Sequence, residues 1–106
     1  ETFPYAFELL LPYIHYMHIK DALMGQWRVV PSGHGDGHLR DILTALKEHD
    51  FSGFLSIEPH LGTFEGLEQF ELHLDLSKMP QGGPGLFLVA HNALKTILDE
   101  ISAQYE

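Results

Sequence analysis

Two short apolar segments with polar ends constrain the fold of this chain more than any other feature. They span residues 14–21 and 54–60 and read as β-strands. Because strand side chains alternate between two faces, His18 and Glu58 each lie on one face near the end of a strand. The pattern predicts two strands whose carboxyl ends carry an imidazole and a carboxylate.

One amphipathic helix is expected between the two strands, over residues 39–49. Its apolar side chains recur with helical spacing, at Leu39, Ile42, Leu43 and Leu46. Asp36 lies just ahead of it, near a plausible N-cap position. A strand-helix-strand connection of this length predicts a parallel, right-handed crossover and therefore an α/β fold. Catalytic residues of (β/α) barrels lie at the carboxyl ends of such strands, so the polar ends indicate a functional site.

The other segments are less regular. Residues 1–13 predict the tail of a helix that ends at Pro12, and residues 24–37 predict an exposed loop because glycine and proline recur there. Residues 61–85 show scattered apolar side chains and end in a loop. A last helix is predicted over residues 86–104, with a stripe of Phe87, Ala90, Leu94, Ile97, Leu98 and Ile101.

Charge and composition exclude several classes of partner. Six basic residues stand against fifteen acidic ones, and the net charge of −9 would repel a nucleic-acid backbone. No apolar run approaches the roughly 18 residues that span a bilayer, so no membrane partner is expected. The chain has no cysteine, which fits a reducing compartment and predicts a cytoplasmic protein. A small molecule or a cation is the expected ligand.

Four segments, in their order along the chain, resemble the last quarter of the xylose isomerase-like (β/α)8 barrel of the sugar phosphate isomerase/epimerase family. They are His18-Ile19-Lys20-Asp21, Pro31-Ser32-Gly33-His34-Gly35-Asp36, the stretch from Phe51 to Leu61, and Ala90-His91-Asn92-Ala93-Leu94-Lys95. The resemblance implies the C-terminal β-α-β-α quarter of a TIM barrel, incomplete in this chain because such a barrel needs about 250 residues. Residues 1–106 would then be a single partial domain, with 65–85 as a local insertion. His34 departs from the family pattern, which usually has Glu there.

The same resemblance implies a metal-dependent sugar or sugar phosphate isomerase or epimerase. His18 and Glu58 would be two of the four ligands of Mn²⁺, Co²⁺ or Mg²⁺, with Zn²⁺ also possible. Glu58 would take the proton next to the sugar carbonyl, and the metal would stabilise the resulting enediolate. Lys20 or His60 would contact oxygens of the sugar substrate. Independently of the resemblance, Arg28 is the only cation in the long loop and is a candidate to bind a phosphate or carboxylate of the substrate. The other two ligands would belong to strands that this chain lacks, so we expect the chain alone to be inactive.

Several alternatives remain open. An inosose-type dehydratase of the same family would use the same two ligands, and a non-catalytic assembling module would use neither. An apurinic endonuclease fits less well, because it typically has an Asn-Asp pair and Glu-Thr-Pro where this chain has Lys20-Asp21 and Glu58-Pro59-His60. Lys20 could also simply pair with Asp21. A two-stranded sheet is marginal in water, so we expect a homo-oligomer or association with the missing barrel portion.

Overall fold

The computed structural model describes residues 2–58, 61–62 and 65–106. Within them the regular elements, in chain order, are α1 (Phe7–Leu10), β1 (Tyr16–Ile19), β2 (Asp21–Leu23), β3 (Arg28–Val30), α2 (Leu39–Glu48), β4 (Phe54–Ile57) and α3 (Gly83–Glu100). Irregular or tight helical turns occupy Thr2–Ala6, Leu11–Tyr13, Met24–Gln26, Leu67–Gln69 and Leu76–Lys78. The predicted N-terminal helix is therefore a series of short helical pieces.

Strands β1 and β4 form a parallel pair, as the crossover predicts. Tyr16 stands opposite Phe54, and His18 stands opposite Ser56. The alternate side chains, Ile19 among them, point into the core. The predicted division of both strands into a polar and an apolar face is thus confirmed.

The first hydrophobic cluster lies on the apolar face of this pair. Its buried members are Phe7, Ile19, Leu39, Ile42, Leu43, Leu46, Leu94, Ile97 and Leu98. All four apolar residues predicted for α2 are buried in it. The amphipathic helix therefore covers one face of the sheet, as helices do in crossover units.

The predicted stripe of α3 is only partly right. Phe87 is 50% exposed, whereas Val89 is fully buried. The reason is that Val89 packs with Leu61 and Leu67 in a cluster separate from the one that lies on the apolar face of the β1–β4 pair. The helix also begins at Gly83, earlier than predicted, because Pro84 is tolerated in a first turn. It ends at Glu100, close to Ser102 with its left-handed φ of 58°.

Residues 24–37 are not simply a loop, and the first strand does not run to residue 21. Asp21–Leu23 and Arg28–Val30 form an antiparallel hairpin, since adjacent valines favour an extended backbone. Asp36 does not cap α2: the N-cap residue is His38, with a left-handed φ of 58°. The Asp36 carboxylate instead accepts a 2.9 Å hydrogen bond from the Met24 N–H group.

A second hydrophobic cluster lies between the hairpin, α3 and residues 61–79. Its buried members are Leu61, Leu67, Val89 and Ala90, and Val29 packs against them. The segment predicted as a local insertion thus packs its leucines against α3 and the hairpin, and it contains two tight helical turns. Among the described helices, none is both long and apolar enough to cross a bilayer.

Candidate functional site

The structure brings together two of the residues that the sequence singles out, His18 and Glu58. His18 Nδ1 lies 3.2 Å from Glu58 Oε1. The Glu58 N–H group donates a 3.0 Å hydrogen bond to the Ile19 carbonyl, which continues the parallel pairing beyond β4. Parallel register therefore places the carboxylate beside the imidazole at the carboxyl end of the sheet.

This pair faces solvent and lies beside the ring of Tyr16. The side chains of His18 and Glu58 are 56% and 36% exposed. The Tyr16 ring meets the His18 ring edge-on, with centroids 4.9 Å apart. Phe54 is the neighbour of Tyr16 across the strands and is 78% exposed. An accessible polar pair thus lies next to apolar ring surface on one sheet face.

Asp21 organises the glycine-rich loop that adjoins the end of β1. It is almost fully buried, and its carboxylate accepts backbone hydrogen bonds of 2.9–3.1 Å, from Ala22, Gly33, Gly35 and Gly37. A Cβ atom at Gly35 would collide with this carboxylate. Four donors satisfy a buried charge that would otherwise be costly.

Sequence reasoning missed this role of Asp21. The sequence indicates only that Asp21 ends the segment His18-Ile19-Lys20-Asp21 and that it could pair with Lys20. The sequence feature that indicates this role is the set of glycines at alternate positions 33, 35 and 37. Glycines at this spacing let several N–H groups converge on one anion.

Of the other candidate substrate contacts, Lys20 and Arg28 lie within the described residues, and neither forms an ion pair with Glu58. Lys20 is exposed, and no ion pair with it occurs within the described part of the chain. The Arg28 guanidinium lies against Gly66 and over the Phe70 ring, 5.6 Å from its centroid. His60 lies outside the described residues.

The chemistry and spacing of the His18–Glu58 pair suit two neighbouring ligands of a divalent ion. Imidazole and carboxylate together are accepted by Mn²⁺, Co²⁺ and Zn²⁺, and Mg²⁺ favours the carboxylate. Two ligand atoms at right angles, each about 2.1 Å from an ion, are about 3.0 Å apart. The observed 3.2 Å is close to that spacing. No group of three or more ligand side chains occurs among residues 2–58, 61–62 and 65–106.

Comparison of the chain with models of known protein families, with curated proteins and with solved structures gave no match.

Proposed function

We propose that His18 and Glu58 supply two ligands of a divalent-metal site in a sugar or sugar phosphate isomerase or epimerase. The observation that supports this most is the 3.2 Å approach of His18 Nδ1 to Glu58 Oε1 at the carboxyl ends of two parallel strands. In (β/α) barrels the catalytic residues lie at the carboxyl ends of the strands. The proposal includes a cytoplasmic location, which the absence of cysteine favours.

Each residue would have a separate task. His18 would bind through Nδ1, the atom that faces Glu58. Glu58 has two oxygens, so Oε1, which faces His18, would bind the same ion while Oε2 accepts a proton from the carbon next to a carbonyl. Lys20, which is exposed two residues beyond His18, would donate hydrogen bonds to substrate oxygens. A bound divalent ion would polarise the carbonyl of an open-chain sugar.

Metal binding by this chain tests the proposal directly. With two protein ligands, most of the coordination shell is left to water, so we expect weak binding of Mn²⁺. Paramagnetic broadening in NMR spectra should centre on the amides of Ile19 and Glu58. The variants His18→Gln and Glu58→Gln should each abolish the broadening there, while the exposed control His15→Gln should keep it. Equal broadening in Glu58→Gln would contradict the assignment.

The reaction class is tested by solvent exchange. Ketoses and ketose phosphates are incubated in D₂O with Mn²⁺ and the chain, alone and with longer polypeptides that contain it. Deuterium at the carbon next to the carbonyl, lost in Glu58→Gln, supports an isomerase or epimerase. Release of water from an inosose instead would favour the dehydratase.

A second candidate, an assembling module, is favoured by the state of the sheet. Neither β1 nor β4 has a further strand neighbour among the described residues. Tyr16 is 49% exposed on the uncovered face, and Phe54 is more exposed still. Parallel sheets normally have both faces covered and their edges paired. Sedimentation at micromolar concentration should therefore show a dimer or larger oligomer, and Phe54→Ser should weaken it. A compact monomer that unfolds cooperatively would exclude self-assembly.

A further inference from the structure

Phe70 fastens the segment 65–79 to two other parts of the molecule. Its ring centroid lies 5.3 Å from that of His34 in the glycine-rich loop. The Arg28 guanidinium on β3 lies over the same ring at 5.6 Å. Arg28 also lies so close to Gly66, whose φ is +80°, that a Cβ atom there would be 2.7 Å from Nη2. Arg28 thus contacts the segment at both Gly66 and Phe70, and His34 contacts it at Phe70.

His34 is the titratable group at this junction. Burial is the main reason that its pKa is below the usual 6.5, and nearby His73 lowers it further. Asp21 in β2 and Glu71 in the segment oppose this by attracting a proton. Arg28 already places one positive charge on the Phe70 ring. Burial outweighs the two carboxylates, so the pKa of His34 is lowered in the closed structure, and the Phe70 ring of the segment contributes to that burial.

We propose that residues 65–79 form a strap whose attachment to the glycine-rich loop loosens when His34 takes up a proton. The physical reason is linkage: a state in which the strap has lifted returns His34 to water and binds a proton more tightly. Acidification must then populate that state. Because the histidine pKa is lower in the closed form, closure is strongest above pH 6.5 and weakens as the pH falls below it.

The expected opening is local. The strap contributes Leu67 to the second cluster, together with Val89 and Ala90 of α3. The first cluster contains no residue of the strap. Lifting the strap therefore uncovers apolar surface on the first half of α3, on Val29 and on Ile57 of β4, while the first cluster keeps the β1–β4 pair folded. This inference does not depend on the proposed metal chemistry.

Hydrogen exchange of the whole chain tests the proposal. Amide exchange in residues 67–79, corrected for the intrinsic pH dependence and referred to amides in the second half of α3, should rise severalfold between pH 7.5 and pH 5. His34→Gln should remove this rise. His49→Gln, an exposed control on the other side of α2, and His73→Gln should both keep it. A rise that persists in His34→Gln, or that also appears throughout α3, would overturn the proposal.

If His34→Gln loosens the strap at every pH, the exchange experiment alone does not test the role of the proton. A second measurement, which keeps His34 in place, then decides. The pKa of His34 is followed by NMR in the natural chain and in Phe70→Leu, which removes the ring that covers it. The pKa should move up towards 6.5 in Phe70→Leu, because the imidazole regains water. No change would mean that the strap does not control the proton affinity of His34, and the proposal would be wrong.

Discussion

The two hydrophobic clusters of this protein differ in how many elements build them. Among the residues that the structure describes, the first contains nine buried residues from α1, β1, α2 and α3. The second contains four, and most of the apolar side chains that join the first half of α3 in it come from Leu61 and from residues 67–76, which form only short turns. Elements that share a large core open only when the whole domain unfolds. A segment that few buried contacts hold in place can open while the rest stays folded. The comparison predicts a stable body and a less stable strap.

The largest effect should come from matched leucine truncations in the two clusters. Leu46 and Leu67 are 2% and 3% exposed, so their burial is equivalent. Leu46→Ala should lower the free energy of unfolding by about 3 kcal/mol, through lost burial and a cavity. Leu67→Ala should lower it less, because detachment of the strap limits the loss.

Urea unfolding combined with hydrogen exchange provides the measurement. Leu46→Ala should raise exchange in α2, α3 and the β1–β4 pair together. Leu67→Ala should raise it within residues 61–79 and leave the pair protected. Equal global destabilisation by the two variants would show that the clusters form one cooperative unit.

The same difference explains what the sequence could predict. The period of α2 and the alternation of β1 and β4 directly reflect burial, so these elements and the approach of His18 to Glu58 could be anticipated. The β2–β3 hairpin could not, because its partner strands are three residues each and are separated by the turn at Trp27. Residues 65–79 depend on single long-range contacts, such as that of Phe70 with His34, which leave no period in the sequence.

An intermediate effect is expected at Asp21, which connects the body to the glycine-rich loop. In Asp21→Asn, an NH₂ group replaces one of the two carboxylate oxygens. Each of these oxygens accepts hydrogen bonds from two backbone N–H groups, so two donors would lose their acceptor. A buried donor left without an acceptor costs about 1–3 kcal/mol. We expect a loss in that range, measured by urea unfolding, together with faster exchange at Gly33 and Gly35.

The matched control for this variant is Asp36→Asn. Its carboxylate is exposed and accepts one backbone hydrogen bond, from Met24. The loss of stability should therefore be well below that of Asp21→Asn. If the two variants were equally stable, the loop would be held by its own backbone contacts, such as that of Asp36 N–H with the Ala22 carbonyl, and not by the buried carboxylate.

The smallest effect on stability should come from the candidate site itself. Glu58→Gln preserves the shape of the side chain, and the contact with His18 that it alters is between side chains that are 56% and 36% exposed. Exposed pairs contribute little, so the free energy of unfolding should change by less than about 0.5 kcal/mol. The hydrogen bond from its N–H group to Ile19 belongs to the backbone and should remain. Thermal and urea unfolding with and without Mn²⁺ check this: the variant should match the natural chain without metal and lose whatever stabilisation Mn²⁺ provides. A large loss without metal would mean that Glu58 holds the two strands together, and the site would then be part of the stable body.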